Sequence, residues 1–259
     1  KLFVGGMKKF HLILLTFINF CAILHAASNL MTQLLVGNYY RGYNGENLAA
    51  TSSLLLSPMG GWSDTNGNFY LADRTRIRKI DVFSTIKTLC GTGMSGFNAD
   101  GAPATSTLLS YVASLWGDTL GNIFYLDSGR LRKIDAVTSI VRTVVGTGNY
   151  GFNGENVSAT STSLNGYFLT GDSAGNLYYS DYSYYRVRRF VKSTGRVLTI
   201  AGNGTYAYGG ELVVATSTSV KDPTGLVVDT SGNVFFVEQS GQRIRKVTNA
   251  GIMQTIVGT

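Results

Sequence analysis

Three sets of charged residues recur along this chain at spacings that could do chemistry. The first is four aspartates, Asp64, Asp118, Asp172 and Asp229, each three residues ahead of a Gly-Asn pair. Gathered around one axis they would form a ring of acids able to hold a cation. Taken singly, an Asp at that offset accepts backbone N–H bonds inside its own turn, and its recurrence in one turn context favours this structural role. The second set is basic: Arg74, Arg76, Arg78 and Lys79, then Arg130, Arg132 and Lys133, then Arg186, Arg188 and Arg189, then Arg243, Arg245 and Lys246. As a stripe these could bind phosphate, sulfated sugar or nucleic acid. An acid precedes each cluster, Asp73, Asp127, Asp181 or Glu238, close enough to pair with the first arginine across a hairpin turn. The third set is Glu46, Asp100, Glu155 and Glu211, each in a long Gly/Asn-rich loop that ends in a Thr-Ser patch. Loops on a rigid scaffold are where ligands are usually met. The face carrying these acids and the first arginines, Arg76, Arg130, Arg186 and Arg243, is therefore the candidate contact surface.

The start of the chain narrows the chemistry further. Met7-Lys8-Lys9 is followed by the apolar run Leu12 to Leu24 and the small residues Ala26, Ala27 and Ser28. This is the pattern of a secretory signal peptide, so residues 1–28 are assigned to a leader and the product to the extracellular space, or to the periplasm of a bacterium. Both histidines, His11 and His25, and Cys21 leave with that leader, as do Lys1, Lys8 and Lys9, and the net charge drops from +7 to about +4. What remains has no imidazole for acid/base work or zinc ligation, and Cys90 has no partner for an internal disulfide. Cys90 takes the place that Val or Ala holds in the other repeats, which fits a small buried hydrophobe better than a nucleophile. No cofactor and no metal site is read from these residues. Two Asn-x-Ser/Thr tripeptides, at Asn156 and Asn203, are candidate N-glycosylation sites.

The elements that must position these residues are visible as repeats. GNFY, GNIF, GNLY and GNVF begin at Gly67, Gly121, Gly175 and Gly232, offset by 54, 54 and 57 residues. RIRK-type segments follow, and each unit closes on a β-branched run into glycine, as in TLCGTG, TVVGTG, TIAGNG and TIVGT. The composition agrees with many short strands and tight turns: 32 Gly, 15 Tyr, 13 Phe and only 14% charged residues. The last unit resolves into strands over Leu226 to Asp229, Val234 to Glu238, Arg243 to Val247 and Ile252 to Val257. Four short strands per unit of this length describe a propeller blade. Residues 29–259 are read as one all-β domain with repeats at about 38–93, 94–148, 149–204 and 205–259. Gln33 to Gly37 matches a fourth strand without its first three. This surplus strand predicts a carboxy-terminally truncated piece of a longer ring, or an open blade edge available for self-association.

The order GFNG-E, ATS, D-x-x-GN, an acid, RIRK and T-(I/V)-x-G resembles NHL repeats over roughly Leu34 to Thr259. The resemblance implies a six-bladed β-propeller of NHL type, with four four-stranded blades present here. It leaves function open, because such propellers include binding domains, sensor ectodomains and lyases. The innermost strands, PMGGWSD, VASLWGD, GYFLTGD and PTGLVVD, are small or apolar apart from the repeated Asp and scattered hydroxyls. The expectation is thus a secreted, non-enzymatic scaffold that binds an extracellular protein or glycan through its inter-blade loop face. The alternatives are a carboxylate-based lyase or hydrolase, with or without calcium, whose unique residues lie in missing blades, and a nucleic-acid or polyanion binder using the arginine stripes. Against nucleic acid stand the secretory leader and the lack of aromatics interleaved with the arginines, except in repeat three, where Tyr178, Tyr179, Tyr182, Tyr184 and Tyr185 crowd around Arg186 and are read as packing residues rather than a ligand platform.

Overall fold

The computed structural model describes residues 35–258 and the backbone pairing of Ile23–Leu24 with Gln33–Leu34. The expected signal peptide therefore falls almost wholly outside the described residues. The rest is all-β, in four antiparallel sheets built in chain order. Blade 1 comprises Pro58–Ser63, Phe69–Asp73, Arg76–Ile80 and Thr85–Cys90; blade 2, Val112–Gly117, Ile123–Asp127, Arg130–Ile134 and Val141–Val145. Blade 3 comprises Gly166–Gly171, Leu177–Asp181, Arg186–Val191 and Arg196–Ala201; blade 4, Pro223–Val228, Val234–Glu238, Arg243–Val247 and Ile252–Val257. The second, third and fourth strands of blade 4 have the bounds read from the sequence. Its first strand starts three residues early, at Pro223, because a proline is tolerated as the first residue of a strand.

Turn chemistry fixes each first hairpin. Asp64 Oδ1 accepts the N–H groups of Asn66 and Asn68, at 3.0 and 2.9 Å, and Oδ2 accepts the Asn68 amide at 2.7 Å. Gly67 takes φ +85, a left-handed conformation open to glycine at little cost. Asp118, Asp172 and Asp229 bond the equivalent Asn122, Asn176 and Asn233 in the same way. These four acids are thus each engaged in their own turn.

Three blades carry a short fifth strand that the sequence does not announce. Leu48–Ala49, Val157–Ser158 and Val213–Val214 pair with the outer edge of the fourth strand. In blade 2 Pro103 occupies this place and leaves a single bridge to Ile140, since proline has no N–H to donate. The buried alanine of each following Ala-Thr-Ser turn then ties neighbouring blades together. Gly91 N–H donates to Ala104 O at 3.0 Å, Gly146 to Ala159 at 2.9 Å and Gly202 to Ala215 at 2.9 Å. Gly37 N–H makes the same bond to Ala50 O at 2.9 Å, and Val36 is buried as Cys90, Val145 and Ala201 are. Residues 36–37 therefore stand where the end of a fourth strand stands in the other units, whereas Gln33–Leu34 pairs with Ile23–Leu24.

The core lies between blades. Tyr70, Ala72, Ile77 and Cys90 of blade 1 pack against Leu115, Ile123, Tyr125 and Val141 of blade 2, and the arrangement recurs down the chain. Trp62 lies over Gly117 and Trp116 over Gly171, where an added Cβ would sit 2.5 and 2.6 Å from an indole carbon. Gly117→Ala should therefore destabilise the fold by about 1–3 kcal/mol through overpacking. Gly225→Ala, whose Cβ would meet only Val237 Cγ2 at 4.0 Å, should change it little. Chemical denaturation of the two variants measures the difference.

Candidate functional site

The long loops and the turns between second and third strands meet on one face, and there each blade builds the same clasp. Its centre is the second arginine of the RIRK motif. Arg78, Arg132, Arg188 and Arg245 are fully buried, a rare state for a charged side chain unless it is paired. Each donates to a carbonyl of the loop some 33–35 residues earlier: Gly45, Asn98, Gly154 and Gly210. An aromatic ring from that loop lies between the two arginines of each motif. Arg76 and Arg78 stand 3.9 and 5.2 Å from the Tyr43 centroid. Phe97, Phe152 and Tyr208 hold the equivalent pairs in blades 2, 3 and 4. The first arginines extend over glycine: a Cβ on Gly93 would fall within the Arg76 guanidinium, which leaves Arg76 free to donate to Thr92 O at 3.1 Å. Arg130 and Arg186 do likewise with Thr147 O and Asn203 O.

The loop acids close the clasp. Glu46 accepts the Thr88 N–H and hydroxyl at 2.5 Å each, and the Tyr43 hydroxyl at 2.6 Å. Asp100 accepts from Thr143 N at 2.9 Å and from Arg132 at 3.1 Å. Glu155 and Glu211 hook Thr199 and Thr255 in the same manner. These bonds hold the carboxyl groups of Glu46, Asp100 and Glu211 below their ordinary values despite the opposing cost of burial. The eight residues expected to face a ligand are thus brought together on one face, but their polar atoms are largely spent on threonines, buried arginines and carbonyls of the fold itself.

The acids at the ends of the second strands behave differently from the expected hairpin ion pair with the first arginine. Asp73 Oδ1 accepts the N–H groups of Leu56 and Ser57 at 2.7 and 2.8 Å, and Asp127 those of Ser110 and Tyr111. Their charge is balanced by the buried second arginine, directly so in blade 4, where Glu238 reaches Arg245 at 3.2 Å. Burial raises the carboxyl groups of Asp73, Asp127 and Asp181, the last to about 6. In each RIRK motif the second arginine is therefore inside and the first lies over an aromatic ring, whereas Arg74 of the stripe is exposed. Cys90 is buried and its thiol is pushed up to about 12, chiefly by burial. Asn156 and Asn203 are both exposed.

The aromatic rings of the clasp escaped the sequence reading because they lie 33 or more residues from the arginines they separate. A signal was present, since each loop carries a Tyr or Phe three residues before its acid.

Solved structures share this architecture. An auxiliary nutrient binding protein from Bacteroides ovatus superposes with a TM-score of 0.58 at 13% identity, over 80% of this chain and 48% of its own. A gluconolactonase from Xanthomonas campestris gives a TM-score of 0.52 at 13% identity, over 76% of this chain and 60% of its own. The fold is that of a β-propeller. Among curated proteins, teneurin-3 of Danio rerio is 27% identical over 230 residues, 78% of this chain but only 8% of that protein's length. No family model matches the chain. Among the described residues no helix is long and apolar enough to cross a membrane.

The clasp sets two expectations. Arg132→Met leaves Asp127 and Asp100 without their buried partner and should cost about 3–5 kcal/mol. Arg130→Met loses a half-exposed stacking contact of about 1 kcal/mol, so urea unfolding should rank Arg132 well above Arg130. The second concerns pH. A carboxyl raised in the folded state keeps a proton that the unfolded chain has lost, so its contribution falls as pH rises between the two values. For Asp181 that window runs from 3.8 to about 6. Wild-type stability relative to Asp181→Asn, which keeps an acceptor for Asn165 N–H, should decline from pH 4 to pH 6 in urea midpoints.

Proposed function

We propose that this chain is the ligand-binding part of a secreted propeller of NHL type, which holds an extracellular protein or glycan on its loop face and performs no chemistry on it. The observation that carries this reading is the clasp: it spends the polar groups of that face on holding the loops still, and so presents the residues between them. Tyr39, Met94, Tyr150 and Tyr206 follow the fourth strands and are largely exposed, at 87%, 65%, 60% and 47%. Exposed aromatics on a rigid base are the composition of a recognition surface, because they offer large contact area at small entropic cost. In this reading Glu46, Asp100, Glu155 and Glu211, with Arg76, Arg130, Arg186 and Arg243, act as braces beneath the contact layer. The likeness in fold to an auxiliary nutrient binding protein is in keeping with a binding role. The candidate glycan sites Asn156 and Asn203 are exposed in the same long loops. Secretion rests on the leader sequence, and the NHL assignment on the repeat motifs.

The test is an array of extracellular proteins and glycans probed with the full chain. The double variant Tyr150→Ser/Tyr206→Ser should lose at least tenfold in affinity for any captured ligand. Phe83→Ser and Val137→Ser, exposed on the opposite face at 85% and 93%, should leave binding unchanged; the reverse order would reject the loop face.

A further inference from the structure

The four units are so alike that the places where they differ stand out, and those places converge. The residue just before each first strand is Ser57, Tyr111, Asn165 or Asp222, four different side chains at one structural position. Every first strand bulges, but the bulge carries different residues: the register skips Met59 and Gly60 in blade 1, Ala113 in blade 2, Tyr167 in blade 3, and Thr224 and Gly225 in blade 4. A bulge re-aims the side chain it carries. The turn between second and third strands spans two residues in blades 1 and 2, but four in blades 3 and 4, where Tyr182 to Tyr185 and Gln239 to Gln242 are inserted. All three departures lie where the innermost strands of adjacent blades begin, on the loop face.

Tyrosines dominate this place. The rings of Tyr167 and Tyr182 are 5.4 Å apart, and those of Tyr185 and Tyr206 are 5.2 Å apart. Tyr182 is close enough to Asp222, Tyr167, Tyr206 and Tyr185 for each to raise its hydroxyl, after burial, and Tyr167 acts likewise on Tyr111. The ammonium of Lys221 lies 5.5 Å from the Tyr206 centroid. Four tyrosines elsewhere in the fold donate to acids, Tyr43 to Glu46, Tyr70 to Asp64, Tyr178 to Asp172 and Tyr208 to Glu211, while the hydroxyls of Tyr125 and Tyr179 are sealed in the core without a partner among the described residues. Among the described residues the hydroxyls of Tyr111, Tyr167, Tyr182 and Tyr206 donate to no protein group. Polar side chains beside the rings have acceptors to spare. The Asn165 amide donates to Ser183 Oγ at 2.8 Å, leaving its Oδ1 unused, and Asp222 accepts the Ser240 hydroxyl on Oδ2 alone.

We propose that the cluster of Tyr111, Tyr167, Tyr182 and Tyr206, with Asn165 and Asp222 beside it, is a carbohydrate-binding site. A pyranose ring has an apolar C–H face and a polar equatorial rim, so it needs flat aromatic surface and in-plane acceptors side by side. A tyrosine supplies the first and its hydroxyl extends the second. A small set of polar groups converging among aromatic walls is what orients a small ligand. An extended peptide would instead want an open strand edge or an apolar groove. The proposal rests on the reading of this face as a binding surface and names the ligand class for it.

The test uses the full chain and six neutral probes, the hexaoses of cellulose, starch, xylan, mannan, chitin and laminarin, by isothermal titration and by protein-observed NMR. At least one should bind, and Tyr167→Ala, Tyr182→Ala and the exposed Tyr111→Ser should each weaken it tenfold or more, while Phe83→Ser leaves it unchanged. Tyr111→Ser keeps the test decisive if a more buried variant misfolds. Binding that survives all three substitutions overturns the site. If no sugar binds but a protein ligand is captured through Tyr150 and Tyr206, the carbohydrate assignment falls and the scaffold reading stands; if nothing of either kind binds, both fall.

Discussion

A guanidinium buried in every blade is the constraint on which the loop face depends. Removing Arg78, Arg132, Arg188 or Arg245 from water is costly, and the cost is met only if carboxylates and carbonyls are waiting for it. That requirement dictates what surrounds it. An acid must end the second strand, another must arrive from the preceding loop, and the loop must turn a carbonyl inward, as Gly45, Gly154 and Gly210 do. The aromatic ring between the two arginines then has a single place to lie. A face built this way is stiff because an alternative arrangement would leave a buried charge unpaired.

Much of the framework could be read from residue order, for physical reasons. Strand pattern and Asp-x-x-Gly-Asn turns are local, so the second to fourth strands of blade 4 are legible to their bounds. The two-residue outer strands were not, because Leu48–Ala49 and Val213–Val214 are too short to show alternation. The partner of the strand-two acids was misjudged for a related reason. Nearness in sequence favours Arg76 for Asp73, but Gly93 opens space over which the Arg76 guanidinium lies, and the balancing charge is the inward-facing Arg78.

The loop face was legible as a location and not as a chemistry. Repetition draws attention to what recurs, and what recurs here, from Glu46 to Glu211, serves to hold the blades. Tyr111, Tyr167 and Tyr182 are single occurrences with no counterpart in the other units. Their convergence depends on which residue the shared bulge carries and on a turn lengthened in blades 3 and 4, and neither leaves a periodic trace.

The hooks that join each loop to its blade also bear on how the chain acquires its structure. Glu46 reaches Thr88, Asp100 reaches Thr143, Glu155 reaches Thr199 and Glu211 reaches Thr255, spans of 42 to 44 residues. Every such closure lies within one unit and its leading loop, and each finished unit offers an apolar face to the next. Order can therefore spread along the polymer one unit at a time, as in other quasi-one-dimensional arrays. The loop that would be lost to chain entropy at each step stays short and nearly constant. A blade emerging from the ribosome finds its template already assembled beside it.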